Sequence, residues 1–203
     1  MLRVFHSVNA VGLALFGMAA PAHAERSIPI ETGNTHVRFS CSAGLMSVAG
    51  RFETVEGRVA FEDDARNPSA VQVMIGSESL TTGSAMVDDQ LKGSDFFDSA
   101  RHPTIVFKST SVRTTAGQPE IAGLLTIKSV TRPVTLQLAV VSEAPYDPPS
   151  GLGRKNVAKA RPAVRASTRI RRSEFDMAGF NPLISDECDI QIRVFPPQGM
   201  LLE

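Results

Sequence analysis

The chain has 203 residues, 42% hydrophobic and 21% charged, with 21 basic residues balanced by 21 acidic ones. That balance argues against a general nucleic-acid binder, which needs an excess of Lys and Arg to displace counterions from phosphates. The sequence has no G-x-S-x-G elbow, no G-x-G-x-x-G or Walker loop and no C-x-x-C pair, which removes the common signatures of hydrolase, nucleotide and dithiol chemistry.

Arg3 supplies a positive charge at the start and is followed by an apolar run over residues 8–20, which ends in Pro21-Ala22-His23-Ala24. A charged start, a run too short to cross a bilayer comfortably and an Ala-x-Ala site make an export signal, cleaved after Ala24. An uncleaved anchor helix is the competing reading. No Cys follows the site, which argues against lipid anchoring. Cleavage leaves residues 25–203 as one domain, periplasmic or secreted, with 20 basic residues once Arg3 is lost against 21 acidic ones. No later apolar run reaches spanning length, so the product is expected to be soluble.

Strands dominate the mature chain. Val37, Phe39 and Cys41 alternate with Arg38 and Ser40, and Val71, Val73 and Ile75 repeat the period of two. A single helix is expected from about Ser84, a candidate N-cap, to Lys92. The alternation resumes at Ile105 and Phe107, at Leu125 and Ile127, and at Leu136, Leu138 and Val140. It appears again at Val164, Ala166, Thr168 and Ile170, and last at Cys188, Ile190, Ile192 and Val194. With turn-forming residues at Asn67-Pro68, Ala116-Gly117, Thr131-Arg132-Pro133 and Asp147-Pro148-Pro149, about eight strands are expected in one antiparallel sandwich or barrel. The inward candidates mix large groups (Phe39, Phe61, Phe107, Ile127) with small ones (Cys41, Gly123, Ala166), which suits an interior cavity and a packed core equally.

The chemistry-bearing residues are few. Without the leader only His36 and His102 remain. His36 lies on the opposite strand face from Cys41, and His102 stands beside Pro103 with no Cys near, so no metal site is expected. Asp88, Asp89 and Asp95 read as helix-capping, water-facing carboxylates rather than an acid–base pair. From Arg154 to Arg172 eight basic residues occur with no acid between Asp147 and Glu174. Arg165, Arg169 and Arg171 share a strand parity, so they form either a solvated face or one attracted to anionic lipid headgroups. Cys41 and Cys188 are either disulfide partners or two buried thiols.

The segment Asp88-Asp89-Gln90-Leu91-Lys92-Gly93-Ser94-Asp95-Phe96-Phe97-Asp98, followed by His102-Pro103-Thr104-Ile105-Val106-Phe107-Lys108-Ser109, closely resembles the signature of the YceI-like family of lipocalin-like, polyisoprenoid-binding proteins. Residues 123–134 agree, with Ser129 where the family usually has glycine. Thr35-His36-Val37-Arg38-Phe39 and Ile170-Arg171-Arg172-Ser173-Glu174-Phe175 fit in order, so that the resemblance spans residues 28–195. It implies an all-β fold: an extended eight-stranded antiparallel lipocalin-like β-barrel with one or two short helices, periplasmic and non-catalytic. A polyisoprenoid or isoprenoid quinone would lie in its interior, with no other cofactor.

Projected onto this sequence, the tunnel wall is Phe39, Phe52, Phe61, Val73, Ile75, Phe96, Phe97, Ile105, Phe107, Leu125, Ile127, Leu136, Leu138, Ile190 and Ile192. Phe96 and Phe97 stand in the wall or at its closed end, and His102, Arg154 and Lys155 stand near a polar head. The expected partners are the lipid, an anionic membrane surface in transient contact and a second copy of the chain, but no nucleic acid. Two departures from the family stand out. Pro149 and Ser150 replace an aromatic residue and a glycine in the loop near Tyr146, and the chain has no Trp. Cys41 and Cys188 occupy positions usually apolar, which the resemblance places on the inner face, where a disulfide would tie the first strand to the last. The competing reading is a stress-related periplasmic protein with a packed barrel that acts through its basic face.

Overall fold

The computed structural model describes residues 26–61, 68–143, 160–180 and 182–196. The leader, residues 1–24, and the rim candidates Arg154 and Lys155 lie outside them. The strands are β1 (Arg26–Glu31), β2 (Thr35–Ala43), β3 (Met46–Phe52), β4 (Val55–Phe61), β5 (Pro68–Gly76), β6 (Leu80–Thr81), β7 (Thr104–Thr115), β8 (Gln118–Ile127), β9 (Val130–Glu143), β10 (Arg161–Arg171) and β11 (Glu187–Val194). One helix, α1 (Ala85–Lys92), and two 3-10 turns, at Ser77–Ser79 and Arg172–Phe175, complete the described elements.

All eleven strands join one antiparallel sheet in the order β1-β4-β5-β7-β8-β9-β10-β11-β2-β3-β6. It curls strongly into an open half-barrel whose edges stand 15 Å apart. The expectation of a closed eight-stranded barrel is therefore corrected. Alternation reports which side chains face inward, not whether the two outermost strands meet. The strand count differs because two extended stretches bend and change partners. β1 pairs with β4, whereas β2, only three residues further on, pairs with β11 and β3. The run β3–β4 bends likewise at Glu53 and Thr54.

Side-chain hydroxyls hold these corners. Thr32 Oγ1 accepts from the Val55 amide (3.1 Å) and donates to the Val55 carbonyl (3.3 Å). Ser79 Oγ accepts from the amides of Glu53 (3.1 Å) and Thr54 (2.9 Å) and donates to the Gly76 carbonyl (2.6 Å). Each bend would otherwise leave backbone groups without ladder partners. On β1, the Asn34 side chain donates to the Pro29 carbonyl (2.9 Å) and accepts from the Glu31 amide (2.9 Å).

Inward parity is preserved along the sheet. In β7 a bulge between Ser109 and Ser111 shifts the register, so that Phe107 before it and Val112 after it both join the core. The β7–β8 turn uses Ala116 and Gly117, both at positive φ, the backbone a two-residue hairpin loop needs to match strand twist. One end of the half-barrel is plugged by α1, the segment that follows it and the loop after β10. Ser84 precedes α1 as expected but makes no side-chain cap. Instead Asp88 reaches back to the Thr82 amide and hydroxyl (both 2.6 Å) and the Thr81 hydroxyl (3.1 Å). The Thr82 hydroxyl above all holds the Asp88 carboxyl below the usual range.

Candidate functional site

Inside the plugged end lies a cavity of about 80 Å³ whose walls present only apolar atoms. Nine of the fifteen expected tunnel residues line it: Phe39, Phe52, Ile75, Phe96, Phe97, Ile105, Leu125, Ile127 and Ile190. The other six lie elsewhere on the same wall. Val73, Phe107 and Leu136 are buried, and Leu138 and Ile192 are half-buried. Phe61 is half-buried at a register shift in β4. Sequence reasoning did not select Val37, Val48, Leu91, Ile170, Met177 and Ile184, which also line the cavity. Val37 and Ile170 were legible as inward positions; Met177 and Ile184 come from a loop with no period to follow.

The aromatic rings pack against one another and against glycines of the wall. Phe39, Phe52 and Phe97 form a triangle with centroid separations of 5.5–6.3 Å. Phe39 covers Gly50 on the neighbouring strand, where an added Cβ would sit 2.6 Å from its ring, and Phe107 covers Gly123 in the same way (2.5 Å). Glycine at both positions leaves room for the ring to lie on the neighbouring strand.

Cys41 and Cys188 face each other in register across β2 and β11, with Cα atoms 4.4 Å apart and a disulfide between them. That short separation is that of a non-hydrogen-bonded antiparallel pair, where side chains approach closest. Both cysteines belong to the cavity wall.

Arg172 is the one charged side chain among the buried residues described, 3% exposed beneath the cavity. Its Nε donates to the Ser185 carbonyl (2.8 Å), Nη1 to those of Met177 (2.7 Å) and Gly179 (2.8 Å), and Nη2 to that of Ile184 (2.7 Å). Burial pulls its pKa down, with Asp186 opposing. Four donated hydrogen bonds hold the loop after β10 in place as the floor of the cavity. Lys128 pins the same end from the β8–β9 turn, donating to the Asp176 carbonyl (2.8 Å) and the Ser94 carbonyl (3.2 Å).

His102 stands on the segment leading into β7, with Nε2 3.9 Å from an Asp98 carboxylate oxygen, and is not among the residues lining the cavity. The outward arginine row divides. Arg169 pairs with Asp189 (2.8 Å) and Glu187 (3.6 Å), and Arg171 lies 4.0 Å from Glu187, all exposed. Arg165 instead stands opposite Arg193, which stands opposite His36, at the far end of the same strands. There Phe195 is buried, with the Arg161 guanidinium 4.8 Å over its ring and His36 edge-on at 5.8 Å. Burial, followed by Arg38, Arg193 and Arg161, pushes the His36 pKa below its ordinary 6.5. In the unfolded chain His36 binds its proton near 6.5, before the folded state does, so stability is expected to fall as pH drops below that value. Melting temperatures followed from neutral to mildly acidic pH check this, and His36→Phe is expected to flatten the slope.

Among the described residues no group of three His, Cys, Asp or Glu stands together as metal ligands. No helix among them is long and apolar enough to cross a membrane.

Comparison with known proteins agrees with the architecture. A model of the YceI-like domain matches residues 29–195. A UPF0312 protein of Pseudomonas aeruginosa (strain LESB58) is 32% identical over 146 residues, 70% of this chain and 75% of that one. Protein YceI of Escherichia coli O157:H7 is 30% identical over 183 residues, 89% of this chain and 90% of that one. Among solved structures, Burkholderia cenocepacia BcnA superposes with a TM-score of 0.65 at 21% identity, covering 81% of this chain and 98% of that one. A polyisoprenoid binding domain from Saccharophagus degradans superposes with a TM-score of 0.55 at 14% identity, covering 84% and 97%. At those identities the likeness is one of fold. Proteins of the YceI and UPF0312 group are non-catalytic and characteristically periplasmic. With that model matching residues 29–195 and relatives 30–32% identical over most of the chain, the chain belongs to the YceI-like family.

Proposed function

We propose that this protein is a periplasmic carrier of a long apolar lipid, a polyisoprenoid or isoprenoid quinone, exported through a leader cleaved after Ala24 and folded as one domain over residues 25–203. The observation that carries the reading is the apolar cavity lined by Phe39, Phe52 and Phe97, with the Phe39 ring laid over Gly50. The fold likeness to a polyisoprenoid binding domain supports the same ligand class. Burying an isoprenoid tail returns about 0.8 kcal/mol per methylene, enough for micromolar binding once ordering costs are met. At about 80 Å³ the space is smaller than the ~150 Å³ apolar cavity that takes up benzene, so a chain of isoprene units enters by widening the open seam. Among the described residues no ladder pairs β1 with β6 across that seam.

Native mass spectrometry with organic extraction of the protein from its own periplasm tests the reading. A stoichiometric lipid with an isoprenoid fragmentation pattern is the expected result. An empty protein that also refuses added quinone and prenyl phosphate would transfer the weight to a packed half-barrel acting through its basic face, a reading favoured by the small cavity and by the arginines around Phe195. Gly50→Ala provides a second test. The new methyl would drive the Phe39 ring off the wall into the cavity, at a cost of about 1–3 kcal/mol in stability. Lipid uptake is expected to fall well beyond what that loss explains.

A further inference from the structure

We infer that the protein docks on a neutral lipid bilayer through two uncharged tips at the plugged end of the half-barrel: Leu45 and Met46 on the β2–β3 hairpin, and Phe180 and Leu183 on the loop after β10. The inference rests on the carrier reading and adds where the carrier meets its source.

Seven large hydrophobic residues are exposed among the described ones, and four of them stand at this end: Leu45 (107%), Met46 (79%), Leu183 (72%) and Phe180 (51%). The two loops are joined at their roots, where the Ser185 amide donates to the Ser42 carbonyl (2.7 Å). Both continue the cavity wall. Met46 stands opposite Ala43 on the same strand face as Val48, which lines the cavity opposite Cys41. Leu183 precedes the lining residue Ile184, and Phe180 stacks on the lining ring of Phe96 (6.0 Å). Phe180 also sits at φ 55°, a strained backbone for a bulky side chain, and holds its ring half in solvent there.

Charge identifies the occupant. No charged residue lies between Arg38 and Arg51, nor between Asp176 and Asp186. A protein partner is met by a flat patch with a polar rim, whereas these side chains project singly from narrow tips, as suits a soft apolar medium. Tips without charge enter the acyl boundary with no ion to desolvate, whereas an Asp there would have to leave water as an ion. Once they are seated, the plugged end of the half-barrel rests on the bilayer that holds the lipid.

Co-sedimentation of the protein with phosphatidylcholine vesicles is the experiment, with the double variant Leu45→Asp, Met46→Asp, the single variant Leu183→Asp, and Val140→Asp as an exposed control on β9. The wild type and Val140→Asp are expected to bind equally in low and high salt. The tip variants are expected to bind at least about tenfold more weakly while melting at the wild-type temperature. Failure of the wild type to bind overturns the inference, and so does equal binding by the tip variants. Binding abolished by salt assigns the contact to the arginines instead. A dimer that the tip variants dissolve, without vesicle binding, assigns the surface to a second copy. Uptake of a detergent-dispersed prenol by the same variants separates the two readings. Docking lost with uptake retained leaves the carrier intact, and docking retained without uptake in the wild type removes the carrier alone.

Discussion

Replacing Arg172 by Met is expected to destabilise the fold by about 3–5 kcal/mol, the range found when one partner of a buried charged network is removed. The side chain is buried and gives hydrogen bonds to the carbonyls of Ser185, Met177, Gly179 and Ile184. Methionine fills the volume but supplies no donor, so those carbonyls lose their partners in a site that water does not reach freely. Arg172→Lys is expected to lose nearly as much, because one ammonium cannot span acceptors that the guanidinium plane reaches from both sides. Urea midpoints measure both variants. A loss under about 1 kcal/mol would mean that the loop after β10 is ordered by its own contacts. That outcome would also remove the guanidinium as the organiser of the cavity floor.

The second large effect is expected from the disulfide. Reducing it, or substituting Cys41→Ala with Cys188→Ala, is expected to cost about 2–5 kcal/mol. The bond closes a sequence separation of 147 residues, and constraint of so long a loop in the unfolded chain approaches the upper end of that range by chain entropy alone. It also fastens β2 to β11, the junction that joins the bent N-terminal hairpin to the rest of the sheet. Denaturant titrations of the oxidised and reduced protein measure the difference. If the two midpoints coincided, the reduced unfolded chain would have to be compact enough to lose no entropy on cross-linking.

The sequence exposed the faces of the fold more readily than its outline. β2, β5, β7, β8, β9, β10 and β11 were legible because each sets apolar residues against polar ones at every second position. β3 was not: only Phe52 of its residues is fully buried, and it carries Gly50 where an inward side chain would stand, because the Phe39 ring takes that place. β1 and β4 were hidden for a different reason, since each belongs to an extended stretch whose change of partner is made by Thr32 and Ser79 hydroxyls, which resemble any surface hydroxyl in a sequence. The cavity wall was legible where it is strand and illegible where it is loop. Ile105, Leu125 and Ile190 follow from alternation, whereas Met177 and Ile184 depend on the backbone path that Arg172 imposes. Arg172 itself reads as one member of a basic run, and only burial separates it from Arg169 and Arg171, which face water and acids.

The Asn34 bonds on β1 bear on how such a sheet survives at high concentration. A curled sheet that does not close keeps two borders on which another molecule could add a strand, the first step toward fibrils. One border ends in β6, two residues long, which pairs with Arg51 and Phe52 at the end of β3. On the other, Pro29 has no amide hydrogen and its carbonyl is taken by Asn34, which also satisfies the Glu31 amide. Little is left on that side for a neighbour to pair with, so that border can stay open without becoming a template for aggregation. Asn34 thus serves solubility, and its loss would show as turbidity on storage before it showed as a change in melting temperature.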